Sequence, residues 1–453
     1  MKPDVSKIVF YAAAVGLILS LSFAVGLYSA HKKTVVYRAL LDVKKKIELV
    51  SEEASTLTKL HPKHMVQPAR FEGQGVTVNN VPGGEQDLVF LSGFFEDTNE
   101  QRLIRRDGSI LARWPVNYSE IFPDPSHLRK PPKTDWNVDM DGALMLPDGS
   151  VVFSFELCGL VKLDRCGNVV WSLGRESHHS VEPSEKGGFW VPGRRWVPKK
   201  SDSPFPPFQP PFYEDTIMKV SYDGRVTSEI SVPGLFYENG LETLLTATGH
   251  HFEVGMKWDR EILHLNKVHE LSSDIAEDFP LFEEGDLALS IRELNMVLVI
   301  DPDTRDIKWW RIGPWRRQHS SLFKPGGTIT VFNNNAYRTA FGTSSDDSCV
   351  SCLSVPRISN IIEIDPVTGD HRILYGDQDG QEMLTIIRGK HESTPNGGLL
   401  ITEFEAGRVF ETDSRGRVIW EYINRYDSDE VAELTQARMY PATYFEVSDW
   451  SCN

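Results

Sequence analysis

At 453 residues the chain exceeds the usual size of one compact domain, so it holds either several domains or a repeat architecture in one body. Its net charge of −16 argues against a duplex nucleic-acid binder, because neutralising phosphates needs a basic face and none is evident. The overall composition is that of an ordinary globular protein.

The first element is an uncharged run, IVFYAAAVGLILSLSFAVGLYSA from Ile8 to Ala30. At ~1.5 Å per residue it is long enough to cross the ~30 Å hydrocarbon of a bilayer, as a membrane span or as an export signal. Ser22-Phe23-Ala24 offers a small-residue cleavage pattern, but the apolar run is longer than a signal core, so an uncleaved anchor is expected. Lys2 and Lys7 precede the span while Lys32, Lys33, Arg38 and Lys44 to Lys46 follow it, and this count alone places the body in the cytoplasm. From Thr34 to Leu60 a Lys/Glu-rich stretch carries Val36, Leu40, Val43, Ile47 and Val50 at a helical period, which predicts a stalk helix ended by His61-Pro62. The expected division is an anchor over 1–33, a helical stalk and linker over 34–70, and a body over 71–453.

The body reads as strand after strand, punctuated by Asp-Gly, Gly-Gly and Pro-Asn-Gly. Six segments share one plan, beginning at Leu88, Ser150, Gly187, Gly285, Gly326 and Gly397. Each has an apolar strand, a variable turn, a second strand ending in or near Asp, a tight turn, and an outer strand often carrying Trp, as at Trp114, Trp171, Trp309 and Trp420. Insertions fall in the loops, notably the Pro- and Phe-rich SPFPPFQPPFY from Ser203. Repeats of this size, each a small antiparallel sheet unable to bury both faces alone, predict an all-β, six-bladed β-propeller.

The five cysteines give no zinc-finger spacing, since the CxxC of Cys349 and Cys352 has no second pair. Cys158 and Cys166 fall toward opposite ends of one predicted strand, which disfavours a local bridge. Free thiols are expected, with a Cys349–Cys352 loop disulfide as the alternative in an oxidising compartment.

Histidines recur just upstream of the Gly-rich strand starts: His179 before Gly187-Gly188, His319 before Gly326-Gly327, and His391 before Gly397-Gly398. His264 sits in ILHLNKVHEL, ahead of Gly285, while the second repeat has Trp136, Asn137 and Asp139 in the matching stretch. In a propeller such positions converge on one mouth of the central channel. Any one histidine alone reads as a loop or core residue, but several at matching positions, with Arg292, Arg338 and Lys390, describe a site for a tetrahedral oxyanion. Arg offers a planar fork of donors to sulfate or phosphate oxygens, and imidazole can donate a proton, accept one, or attack. Three neutral histidines could instead hold a divalent ion, which the neighbouring arginines oppose. No metal or cofactor is expected. No phosphate loop, GxSxG elbow, HExxH or glycosidase carboxylate pair is present.

At these residues the chain resembles the bacterial arylsulfate sulfotransferase family, six-bladed propellers that move sulfuryl groups between phenols without a nucleotide donor. The resemblance runs over most of Trp258 to Tyr422, and its clearest points are HLNKV with GDLALSIREL, DPDTRDIKWW followed by RQHSS, and VFNNNAYR. It implies that His264 and His319 are channel histidines that hold sulfuryl oxygens or manage the phenol's proton, and that Arg338 binds sulfate. The family's transiently sulfated histidine aligns near Gly407-Arg408, where this chain has none; His391, earlier in the same repeat, is the expected substitute. The family's exported setting implies an extracytoplasmic body, against the charge count, and its cysteine pair does not coincide with Cys349 and Cys352.

The expected activity is ping-pong sulfuryl transfer from a phenolic sulfate donor to a phenol acceptor, with His391, His319 and His264 catalytic and Arg338, Arg292 and His179 binding substrate. The partners expected are those phenols and the membrane through the N-terminal helix, and no nucleic acid. Two other readings stay open: a non-catalytic, membrane-tethered propeller that binds partners through loops such as SPFPPFQPPFY, and a metal- or cofactor-binding oxidoreductase.

Overall fold

A computed structural model describes residues 5–32, five residues between 34 and 43, then 61–82, 87–199, 205, 208, 210–248, 262–335 and 358–452. The stalk expected over 34–60 lies almost wholly outside the described residues. Residues 1–63 and 64–453 form separate compact units. The first contains the helix Val5–His31, whose apolar stretch Val9–His31 has none of its residues buried. Those 23 residues are long and apolar enough to cross a bilayer.

The second unit is a six-bladed β-propeller of antiparallel sheets. The innermost strands of the second to sixth blades are Met140–Met145, Glu182–Pro183, Leu265–Glu270, His319–Lys324 and Lys390–Ser393. The six sequence repeats supply the next three strands of each blade. The first blade takes its innermost strand from the other end of the chain: Leu434–Pro441 pairs with Asp87–Phe95. The N-terminal strand Gly75–Asn79 in turn adds a fifth, outermost strand to the last blade by pairing with Val418–Ile423. The ring is therefore latched twice, once at its inner edge and once at its outer edge.

Alternation within the strands explains why six sheets become one body. In the first blade Leu88 and Phe90 face the second blade, while Val89 and Leu91 face the sixth. In the fourth, Leu298 and Ile300 point to the third blade, and Val297 and Val299 to the fifth. Each interface between neighbours thus has its own apolar cluster, and each fully buried aliphatic side chain contributes about 1.5–3 kcal/mol. The outer tryptophans add a polar link. Trp114 Nε1 donates to Asp164 O and Arg165 O, Trp171 Nε1 to Tyr222 O, and Trp420 Nε1 to Arg106 O, in each case a turn of the next blade. Trp309 packs into the apolar interface instead, and Arg311 makes the corresponding link to Gly369 O. The Gly-Gly repeats have a steric cause. Gly397 holds a φ of +76°, and a Cβ on Gly398 would lie 1.8 Å from Thr412 O.

The cysteine expectation is corrected by the fold. Cys166, in a turn of the second blade, is bonded to Cys452, 286 residues away, with a Cα–Cα distance of 5.5 Å. Cys158 is a free thiol, and Cys349 and Cys352 lie outside the described residues. The pairing is set by the path of the C-terminal tail, which local spacing cannot register. After the latch strand, Tyr444 Oη donates to Met145 O, Trp450 meets Trp114 edge to face, and Arg165 Nη1 donates to Asp449 O and Ser451 O. The disulfide locks this tail onto the second blade. Replacing Cys452 by Ser, or reduction, is expected to cost about 2–5 kcal/mol and lower the thermal midpoint by several degrees. A midpoint unaffected by reductant in the wild type would count against the pairing.

Candidate active site

The inner strands begin at one end of the channel, and there the backbone departs from ordinary conformations. His179, His264, Ser320 and Arg388 all have φ between +50° and +61°, a left-handed region costly for residues with a Cβ. Carboxylates from neighbouring strands hold two of them. Asp215 accepts the backbone N–H groups of Leu263, His264 and Leu265, and Asp141 Oδ2 accepts that of His179 at 2.9 Å. The strained turns aim side chains at the axis.

His179, His264 and His319 meet there, all buried. The rings of His179 and His264 are perpendicular at 4.8 Å, and those of His179 and His319 are stacked at 5.6 Å. His179 Nδ1 lies 2.8 Å from His178 Nδ1, and its Nε2 lies 3.3 Å from His264 Nε2. A neutral imidazole has one donor and one acceptor, so this chain of three rings can pass a proton by tautomer exchange. Burial, reinforced by His264 and only partly offset by Asp141, holds His179 well below the ordinary histidine range.

The tautomer of His319 follows from its neighbour. Asn334 Nδ2 donates to Thr385 O at 2.9 Å and Arg388 O at 2.7 Å, which fixes the amide with its oxygen toward His319 Nδ1 at 2.7 Å. Nδ1 must therefore carry the hydrogen, and Nε2 keeps its lone pair. That nitrogen is buried and has no hydrogen-bond partner among the described residues. Burial, with the charge of Arg292 adding to it, holds His319 well below its ordinary range, so the ring is neutral at physiological pH. An orphaned buried acceptor is costly unless something binds it.

Beside the histidines lies a compact set of charges. His179, His319, Asn266, Lys390, Arg388 and Asp141 all line one cavity of about 10 Å³, room for about one water. Lys390 Nζ is 3.2 Å from Asp141 Oδ1, and Arg388 Nη2 lies 2.5 Å from Asp139 Oδ2 and 3.3 Å from Glu156 Oε2. Burial lowers the Lys390 ammonium to about 8 despite Asp141. Burial would raise Asp141, but Lys390 and His179 outweigh it and hold the carboxylate well below its usual range. Burial, joined by the charge of Asp141 and opposed by Arg388, pushes Glu156 well above its own. His64 Nε2, 2.8 Å from Asp139 Oδ1, is held above the ordinary histidine range by that carboxylate. Asp141, Glu156 and His179 have donor atoms within 4.8 Å of one another, a spacing that could hold a cation. Lys390 and Arg388 already supply positive charge to those carboxylates and oppose a further ion.

The residues singled out by sequence do not all converge. Arg292 donates its backbone N–H to His264 O, and its guanidinium is held by Glu293 at 2.8 and 3.1 Å. His391 takes the opposite side of its strand from Lys390, since successive side chains alternate. Its Nε2 is 2.8 Å from Thr330 Oγ1, between the fifth and sixth blades, and it does not line the cavity. Burial, with Lys267 adding to it, lowers its pKa to about 3. Arg338 lies outside the described residues. Sequence reasoning missed Asn334, Arg388 and Asp141. Asp139 and Asp141, two apart at a strand start, carry a readable signal of paired carboxylates; Asn334 carries none beyond a run of three asparagines.

The profile of the family described as Arylsulfotransferase (ASST) matches residues 142–425, more than half of the chain. No curated protein matches the chain in sequence. Among solved structures, a protein of unknown function from Bacteroides caccae is 13% identical, covering 74% of this chain and 93% of its own, with a TM-score of 0.43. A virginiamycin B lyase from Staphylococcus aureus is 12% identical, covering 80% of this chain and 100% of its own, with a TM-score of 0.37.

The geometry predicts that His319 stays neutral and Nδ1-protonated through the range in which an unperturbed histidine titrates, around ~6.5. Imidazole ¹⁵N shifts in histidine-labelled protein read this directly. Asn334→Asp should raise the His319 pKa, because a carboxylate favours the imidazolium, and Asn334→Leu should erase the tautomer preference. A wild-type His319 that titrates near ~6.5 contradicts the assignment.

Proposed function

The chain belongs to the arylsulfotransferase family, and we propose that it moves a sulfuryl group from an aryl sulfate to a phenol through a channel imidazole, without a nucleotide donor. The observation that carries this reading is the buried Nε2 of His319, which has no partner among the described residues, beside Lys390 and Arg388. His319, rather than His391, takes the nucleophile's role, because His391 spends its Nε2 on Thr330 away from the cavity.

In the first half-reaction His319 Nε2 attacks sulfur, an N–S bond forms, and the S–O bond to the phenol breaks. The departing phenolate takes a proton from the Lys390 ammonium, whose pKa of about 8 lies close to that of an activated phenol. Arg388, with Arg292 acting on His319 from outside the cavity, stabilises negative charge on the sulfuryl oxygens; Arg338 is assigned to the same task by the family resemblance. In the second half-reaction an acceptor phenol returns its proton to Lys390 and its oxygen attacks sulfur, which releases His319. The linked rings of His178, His179 and His264 redistribute protons beside the reacting group.

We place the propeller outside the cytoplasm, tethered by the uncleaved N-terminal helix. A disulfide between Cys166 and Cys452 supports an oxidising compartment. Protease accessibility of the propeller in intact cells against lysed cells tests this.

A burst of phenol from a chromogenic aryl sulfate, and a sulfated peptide containing His319, are expected. His319→Ala should abolish both, and His391→Gln should keep the sulfated peptide. A sulfated peptide containing His391 would reverse the two assignments; no burst at all would leave the propeller as a binding module. With a poorly activated phenol, the rate should fall as pH rises through about 8, because Lys390 must be protonated to donate. Lys390→Met should remove that alkaline limb and slow such donors by about 10²–10⁴-fold, with less effect on donors whose phenolate leaves unaided.

A further inference from the structure

We propose that His64 is a positioning residue of the channel mouth: as an imidazolium it shares the carboxylate of Asp139 with Arg388, and so leaves Arg388 able to bind an anion entering the cavity. That the anion is an aryl sulfate rests on the transfer reading above; the anion site itself does not.

His64 lies ahead of the six repeats, yet the fold pins it at the mouth. The next residue, Met65, is fully buried with Phe94, Trp136 and Ala432, and its carbonyl accepts the N–H of Glu433 at 3.0 Å. Val66–Pro68 then pairs with Glu430–Ala432. Glu433 and Asp139 immediately precede the inner strands of the first and second blades, and Arg388 stands two residues before that of the sixth. These three blades thus bring charged groups to the mouth, as the third to fifth bring the histidines. His64 Nε2 lies 2.8 Å from Asp139 Oδ1, and with 53% of its side chain exposed it faces solvent where Asp139 and Arg388 do not.

The two oxygens of Asp139 have different partners. Oδ1 faces His64, while Oδ2 holds Arg388 Nη2 at 2.5 Å. Arg388 Nη1 is buried and makes no hydrogen bond among the described residues, with Glu433 Oε1 3.6 Å away, and Arg388 lines the channel cavity. A planar guanidinium held at one nitrogen keeps its other donors for an oxyanion. Without a cation on Oδ1, both oxygens of Asp139 are available to Arg388, and a two-point carboxylate pair takes up the same fork.

Charge balance points the same way. Burial would raise Asp139, but Arg388 and His64 outweigh it and hold the carboxyl at about 2. Burial, with Asp139 adding to it and Arg388 opposing, raises Glu433 to about 8, so that acid is mostly neutral at neutral pH. Asp139 raises His64 to about 9; Glu433 adds to this, while burial and Arg388 oppose it. With Glu156 also held protonated, the anions of this group are Asp139 and Asp141, and its cations are Arg388, Lys390 and His64. The imidazolium therefore turns a group without net charge into a positive one, in a chain whose net charge is −16.

The test uses benzylsulfonate, in which a carbon replaces the bridging ester oxygen of phenyl sulfate so that no transfer can occur, titrated calorimetrically into the full-length protein in detergent. His64→Gln, polar but uncharged, is expected to weaken binding ~3–10-fold, and His64→Lys to keep it within about twofold. Wild-type affinity should fall as pH rises through about 9, where the imidazolium loses its proton; His64→Gln should lack that limb and keep the one at about 8 from Lys390. Imidazole ¹⁵N shifts should show His64 titrating at about 9 in the wild type and lower in Asp139→Asn. With a chromogenic aryl sulfate, His64→Gln should raise KM by the factor it costs in binding. No weakening in His64→Gln, equal loss in His64→Gln and His64→Lys, or a wild-type His64 that titrates near ~6.5 overturns the proposal. If benzylsulfonate binding follows the charge at residue 64 while the wild type shows no transfer, the anion site stands and the transfer reading falls.

Discussion

Closure of the ring is the constraint on which the rest depends. Each blade buries one face against the blade before it and one against the blade after it, so an open row of six would expose two apolar faces. The strand Leu434–Pro441 removes that exposure by completing the first blade, and Gly75–Asn79 does so again at the rim of the last. The buried pair of Arg106 with Glu411, at 2.6 Å, crosses the same seam between the first and last blades. Once the ring is closed, the starts of the inner strands have nowhere to point but the axis.

Closure also decides the chemistry of the axis. A circle of six sheets leaves a narrow core that apolar side chains from the blades do not fill, and polar residues occupy it. They do so in two sets. At the histidine end, Lys390 and Arg388 meet Asp141, Asp139 and Glu156; elsewhere along the channel, Lys267 and Arg438 share Glu182, with Arg438 also meeting Glu392 at 3.1 Å. Such pairs contribute little net stability, since desolvation costs much of what attraction returns. Burial in that core has a functional consequence. It lowers Lys390 toward neutrality against the pull of Asp141 and, with the charge of Arg292 adding to it, leaves His319 uncharged, where a fixed positive charge acts strongly on a developing anion.

The repeat grammar made much of the fold legible. Period-two apolar strands, Gly-Gly pairs and blade-end tryptophans each have a local cause, and each reappears in the structure as an interblade cluster, a close carbonyl approach or an indole hydrogen bond. Trp309 shows the limit of that grammar, since its residue type matches Trp114 and Trp420 while its side chain packs as core and Arg311 makes the link. The histidines divide in the same way. His179 and His264 come together because carboxylates hold their left-handed turns, and His319 joins them with its ring held by Asn334. His391 recurs at the same sequence offset, yet one step of strand alternation sends it to the opposite face from Lys390.

Sequence by itself determined what is local: the length and apolarity of the N-terminal helix, the six strand repeats, and the histidines that return ahead of each Gly-rich start. Tertiary structure alone decided what depends on distant chain segments meeting. The Cys166–Cys452 bond spans 286 residues, the first blade borrows its inner strand from the C-terminus, and Asn334 fixes the tautomer of a histidine on the neighbouring strand of its own blade through an amide anchored to carbonyls more than fifty residues away. Periodicity encodes which way a strand's faces point, because that is a property of consecutive residues. Which groups share a buried cavity, and which of them are neutral there, is set by the geometry of the closed ring, since burial and neighbouring charge exist only after folding.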